Sequence, residues 1–403
     1  MTFNAPDMDS GRSDWGGIWL GLAISSLAAF QMLKLPPALP LMIDAYGYDR
    51  ITAGALVSIY ALSGLVLSVA VGRLASRHPV VIMGGSLAFF MIGNLITLAL
   101  PEIAWLNLAA RALEGFAYAV FAIAGPALAN RSAVEKDLSS VAGIVAIWVP
   151  VGQILALGVG YLTFHAYGWQ PLWWVSVVLT ALVGVWLWLR WKPVSHALAG
   201  LADGATAFST TQREQTLLWF AGIVFAIWGG QYIAFMTWLP DYMVDTFGVG
   251  AHTAAAANAL CVVGVLLSGL STGWLLRKGV PLGLLFGGAT LIQAVVWIAA
   301  PYMGAMAGLV AITLYGIVSG AAPTCLFAVP GRLLGGDRAG PTAFGPLMAG
   351  RNLGIFATPI LAGWLIGFGG WHDVGLIFGA ITFVSTIAGV VMARAILNNK
   401  KAA

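Results

Sequence analysis

The sequence predicts an all-α polytopic membrane protein with twelve transmembrane helices arranged as two six-helix pseudo-repeats. Three observations carry that expectation: a composition suited to lipid, twelve apolar stretches of spanning length, and correspondences between the two halves at a nearly constant offset.

Of the 403 residues, 60% are hydrophobic and only 8% are charged, against about 25% charge in an ordinary soluble domain. A bilayer is the solvent that suits such a surface. The 51 glycines and 18 prolines would weaken soluble helices, but in lipid small residues let helices approach closely and neighbouring helices satisfy a backbone interrupted by proline. The formal charge of +4 comes without a basic cluster interleaved with aromatic residues, so nucleic acid is not an expected partner. Cys261 and Cys325 both fall in apolar segments and are read as packing residues, with no metal ligands beside them. The polar run Met1 to Asp14 leads into a long apolar segment without a small-residue cleavage site, so the first helix is expected to remain in the mature protein.

Stretches of about 20 apolar residues cover a hydrocarbon core of about 30 Å. The predicted spans are 16–44, 52–74, 79–100, 104–130, 138–163 and 170–191, then 216–246, 250–276, 280–300, 305–331, 341–367 and 371–396. The expected organisation is a cytoplasmic N-terminus (1–15), an N-terminal six-helix half (16–191), a cytoplasmic linker (192–215), a C-terminal half (216–396) and a cytoplasmic tail (397–403). The linker is the longest polar break and carries Ser195, His196, Asp203, Arg213 and Glu214.

Placing the N-terminus in the cytoplasm puts Arg12, Arg73, Arg77, Arg131, Lys136, Arg190, Lys192, Arg213, Arg277, Lys278, Arg332, Arg338, Arg394, Lys400 and Lys401 on that side. Those are 15 of the 19 lysines and arginines. Only Arg50 falls outside, so the positive-inside rule puts both termini in the cytoplasm, and a bacterial inner membrane is the expected location.

The halves correspond in sequence. Gly152, Gly160-Tyr161-Leu162 and Gly168-Trp169 recur as Gly354, Gly363-Trp364-Leu365 and Gly370-Trp371, an offset of about 202 residues. Gly72-Arg73-Leu74 matches Gly273-Trp274-Leu275, and Asp44-Ala45-Tyr46-Gly47 matches Asp245-Thr246-Phe247-Gly248. Parallel six-helix repeats of this kind place a substrate site between the halves near the bilayer midplane.

The loop Gly72-Arg73-Leu74-Ala75-Ser76-Arg77 resembles the cytoplasmic signature between helices two and three of the major facilitator superfamily. Arg111-Ala-Leu-Glu114-Gly115 resembles the Arg-x-x-x-Gly pattern of its fourth helix. The run Trp148-Val-Pro150-Val-Gly152-Gln153 is a loose likeness of the glycine-proline motif of its antiporters. A narrower resemblance, to the cyanate-permease or nitroimidazole-transporter-like branch, rests on Lys34-Leu-Pro36-Pro37-Ala-Leu-Pro40, on Gly229-Gly230-Gln231-Tyr232 with Trp238-Leu-Pro240, and on Gly316 to Leu326. The superfamily implies alternating access. The branch implies a small anionic substrate.

An ionisable side chain within a span costs several kcal/mol and is a functional candidate by default. Four stand deep: Lys34, Arg111, Glu114 and Arg351. Lys34 precedes Pro36 and Pro37, which interrupt helical hydrogen bonding and offer its charge to a cavity; the alternative is a lysine snorkelling to the outer interface. Arg351 lies about ten residues into its span, hence about 15 Å deep, and its guanidinium, with the Asn352 amide beside it, suits an oxyanion. Arg111 and Glu114 share a helical face and form either a structural ion pair or a proton-coupling pair, Glu114 being the sole deep carboxylate. Gln31, Gln153, Gln231, Tyr232, Trp148 and Tyr315 are the uncharged substrate-binding candidates. Gly72, Arg73, Arg77 and Asp241 are gating candidates.

Neither a phosphate-binding loop of the ATPase type nor a nucleophile and base pattern is present, and no cofactor or metal is expected. The expected function is secondary active transport by alternating access: uptake of a small organic or inorganic anion, with or without a proton, by a chain acting as a monomer. The alternatives are proton-coupled export of amphipathic compounds and a transporter-like receptor that binds without translocating.

Overall fold

The computed structural model describes residues 12–62, 79–134, 137, 141, 144, 147–192, 194–195, 210–334 and 345–402. Every regular element among the described residues is helical. Ten helical runs among the described residues are long and apolar enough to cross a membrane. One of them, Gly345–Asn399, turns at Gly370, where φ is 73°. A side chain is disfavoured in that conformation, so glycine separates the eleventh span from the twelfth there. Arg50–Leu62 is the described part of the second span. With these, the described helices account for the twelve predicted spans, and the fold is the predicted all-α bundle.

The chain forms two compact units, one of residues 1–41 and 62–204 and the other of 42–61 and 205–403. In the first unit the first span packs on the fourth, fifth and sixth. A Cβ built on Gly21 would stand 2.5 Å from the carbonyl oxygen of Gly125, and one on Gly125 would stand 2.6 Å from that of Gly21. Without glycine at both places these backbones could not approach. In the second unit the seventh span, Gln212–Phe247, packs mainly on the eleventh, and the ninth on the twelfth. Its core gathers Phe225, Trp228, Phe286, Leu326 and Met392.

Two local sequence features set helix ends. Thr211 and Glu214 form a reciprocal capping box, with Thr211 Oγ1 accepting from the Glu214 amide at 3.2 Å and Glu214 Oε2 from the Thr211 amide at 2.8 Å. The seventh span therefore begins at Gln212, within the stretch expected to be linker. The first span is two helices, Trp15–Leu33 and Leu35–Tyr46, meeting at Lys34. Pro36 and Pro37 have no N–H to give, and the ladder breaks two residues before them.

Candidate functional site

Lys34 sits at that break and is fully buried. Its Nζ lies 3.3 Å from Glu114 Oε1 and donates to Gln31 Oε1 at 2.6 Å and to Asn94 Oδ1 at 2.5 Å. The ring of Trp173 stands 5.1 Å from the ammonium. Glu114 is also fully buried and takes Arg111 Nη1 on its other oxygen at 2.8 Å. The Arg111–Glu114 pair expected from their spacing is present, and Lys34 completes a triad. Lys34 thus points into a network of its own unit. The reason is electrostatic: a buried ammonium is stable only where a carboxylate and polar oxygens replace its water.

Gln31 is the hub. Its Oε1 also accepts from Ser176 Oγ at 2.6 Å and Asn94 Nδ2 at 3.2 Å, while its Nε2 donates to Thr180 Oγ1 at 2.9 Å. Arg111 reaches across to the first span, donating to the carbonyls of Gln31 at 2.9 Å and Met32 at 3.2 Å. Asn94, Ser176 and Thr180 were not among the sequence candidates. A lone asparagine in an apolar helix is a visible signal, but serine and threonine usually bond back to their own helix, as Thr180 does to the Ser176 carbonyl.

The second unit holds an uncharged counterpart. Gln231 is fully buried, and its Oε1 accepts from Trp297 Nε1 at 2.7 Å and Tyr315 Oη at 2.8 Å. Gln293 Oε1 accepts from Trp228 and Gln231, and its amide donates to Ser319 at 2.7 Å. Gln31 and Gln231 hold the same place in the first and seventh spans, nine residues before Pro40 and Pro240. Asn94 and Gln293 lie on the third and ninth spans, Glu114 and Tyr315 on the fourth and tenth. One device is built twice, with charge in the first unit and neutral donors in the second.

The remaining candidates fall as follows. Tyr232 stacks on Trp228 with ring centroids 5.3 Å apart. Arg351 is half-buried, its stem beside Gly229, and Nη1 is 3.4 Å from Asn352 Oδ1. Among the described residues no carboxylate pairs with it. Gln153 is buried on the fifth span, and Trp148 lies at the start of that span's described part with its ring 6.2 Å from that of Tyr118. Asp241 Oδ2 takes Arg50 Nε at 3.3 Å, and Asp245 takes Arg50 Nη2. Gly72, Arg73 and Arg77 lie outside the described residues.

The sequence profile described as Major Facilitator Superfamily matches residues 18–345, most of the chain. The chain belongs to the major facilitator superfamily. It is accordingly a membrane transporter of the secondary type and not an enzyme. No curated protein matches this superfamily member by sequence. Among solved structures it is similar to a bacterial homologue of the human lysosomal transporter Spinster, in an inward-facing and occupied conformation. The identity is 14%, the alignment covers 95% of this chain and 96% of that one, and the TM-score is 0.65. It is also similar to the nucleoside transporter NupG, at 18% identity, 93% and 98% coverage and a TM-score of 0.68. At such identities the likeness is one of fold.

Proposed function

We propose that this superfamily member takes up a small organic or inorganic anion, as the resemblance to the cyanate-permease branch implies, with Glu114 as a proton carrier. One observation carries the reading. Among the described residues Lys34 and Arg111 both pair with the Glu114 carboxylate, and the sequence puts no other Asp or Glu in the interiors of the first six spans. With all three ionised, the buried cluster holds one positive charge too many for a low-dielectric interior, and an anion balances it. In the second unit Arg351, beside Asn352, supplies the second cation.

In this reading Gln31, Gln153 and Trp148 on the first unit, and Gln231, Tyr232 and Tyr315 on the second, offer neutral donors and apolar walls to the substrate. Asp241 with Arg50, and the loop carrying Gly72, Arg73 and Arg77, gate it. Protonation of Glu114 would release Lys34 toward the anion, which ties proton and substrate to the same group. A neutral nucleoside, the cargo named for one fold relative, would leave the excess charge unbalanced.

The test is a thermal-shift screen of small anions on the purified protein, followed by flux in proteoliposomes. Selective stabilisation by an anion, through linkage, with its inward accumulation, supports the proposal. Uptake of uridine without any anion response would overturn it, and so would outward movement of amphipathic cations.

A further inference from the structure

In the first unit the first span presents Trp19, Leu22, Ala23, Ser26, Leu27 and Phe30 along one groove. Their three- and four-residue spacing puts them on one helical face over about 16 Å. Leu155 on the fifth span, and Leu179, Val183 and Trp186 on the sixth, supply the other walls. The groove's volume is about 430 Å³, within the range of small-molecule sites. Trp19 and Leu155 are each 48% exposed, so the groove opens away from the protein.

The groove is apolar apart from Ser26, and a cation, Arg190, stands beyond its Trp186 end. Arg190 follows Trp186 by one helical turn and therefore shares its face. Its guanidinium lies against Gly16, one turn before Trp19, where a Cβ would come within 2.6 Å of Nη1. Glycine at this position admits the guanidinium to the mouth. Asp14 holds Nη2, but the buried Nε–H has no hydrogen-bond partner. Lys192, two residues on in the same helical turn, is exposed on the other side of the helix. Trp15 and Trp188 are exposed at the same end, as tryptophans are at the headgroup level of a bilayer. The Ser26 hydroxyl lies too far along the groove to meet a headgroup.

An apolar trough, a vacant charged donor at its mouth and a tryptophan belt at that level together describe the outline of a lipid. We propose that this groove is a binding site for one acyl chain of an anionic phospholipid, with the phosphate accepting a hydrogen bond from the partly exposed Arg190 guanidinium. A phosphate suits the site because the Arg190 guanidinium keeps an N–H without a partner beside Asp14, and its depth in the belt is where phosphodiesters sit. The site is separate from the Lys34 network and does not depend on the transported substrate.

The purified full-length protein would be incubated with dioleoyl phosphatidylglycerol, dioleoyl phosphatidylcholine or oleate, and retained lipid counted by native mass spectrometry. The expected result is retention of phosphatidylglycerol about tenfold above phosphatidylcholine at equal concentration. Ala23→Trp, which fills the groove from a partly exposed position, should abolish retention of both phospholipids. Arg190→Gln should remove the headgroup preference, and Lys192→Gln, a nearby charge on the other side of the helix, should leave it in place. Unchanged retention in Ala23→Trp, or an equal loss of headgroup preference in Lys192→Gln and Arg190→Gln, would overturn the site. Displacement of phosphatidylglycerol by equimolar oleate would overturn the phospholipid assignment in favour of a free fatty acid.

Discussion

Arg111 donates a hydrogen bond of 3.2 Å to the carbonyl of Met32, the acceptor that Pro36 leaves without a helical donor. Proline at 36 removes the N–H that would close the turn onto residue 32, and a guanidinium from the fourth span replaces it. The same side chain serves the Gln31 carbonyl and the Glu114 carboxylate. Arg111 thus holds the break at Lys34 open, and Lys34 is free to turn its ammonium into the network.

This geometry ranks substitutions by stability. Glu114→Gln leaves two buried cations without their carboxylate and should cost about 3–5 kcal/mol. Lys34→Gln leaves Arg111 and Glu114 paired and should cost well under that. Arg111→Lys keeps the charge but loses the planar fork that spans both carbonyls and the carboxylate, at a cost of about 1–3 kcal/mol. Thermal melts of the three purified variants in one detergent check the order. Equal melting temperatures for Lys34→Gln and Glu114→Gln would contradict the shared-carboxylate arrangement.

Anion recognition is tested at Lys34 and Arg351. Glutamine at either position should weaken binding of the identified anion by about tenfold or more, since a charge-assisted hydrogen bond is lost. Both variants should remain monodisperse. Wild-type affinity in both would remove the charge-recognition proposal.

Glu114 is the test of coupling. Glu114→Gln keeps most of the side-chain volume and removes the titratable carboxyl, so gradient-driven accumulation should fall more than substrate exchange without a pH gradient. The measurement is paired uptake and exchange in proteoliposomes over a range of pH, with matched reconstituted protein. Loss of both activities would assign Glu114 to binding or folding, and unchanged accumulation would remove it as the required carrier.

Arg50 joins two acids of unequal burial, and this separates their expected weight at the gate. Asp245 is 39% exposed and Asp241 only 5%. A solvent-exposed pair contributes about 0–1 kcal/mol, so Asp245→Asn should change little. Asp241→Asn loosens the buried partner, and thiol labelling of Thr237→Cys, a buried position one turn away, should accelerate about tenfold. The comparison is made in a background lacking Cys261 and Cys325. Equal labelling in the two asparagine variants would show that burial does not set the strength of this gate.

Topology follows from the lysine and arginine bias. A cysteine at Thr210 should react with an impermeant reagent only after the membrane is opened, and one at Ala45 should react in intact cells. Both positions are exposed. External labelling at Thr210 would reverse the orientation.

The sequence by itself determined the twelve-span all-α class, because a bilayer selects on composition and length, and both are read directly from the residues. It also located the break at Lys34 and the Arg111–Glu114 pair, since a proline's missing N–H and a three-residue helical spacing act locally. The pairing of Lys34 with Glu114, the hub at Gln31 and the recruitment of Asn94, Ser176 and Thr180 were decided by tertiary structure. Their partners come from the first, third, fourth and sixth spans, and no periodicity within one helix says which face of another it will meet. The repeat held a further clue in Gln31 and Gln231, but only the fold revealed that each is the centre of its unit's polar network. Whether a buried charge is balanced depends on groups far apart in the chain, and packing brings those groups together.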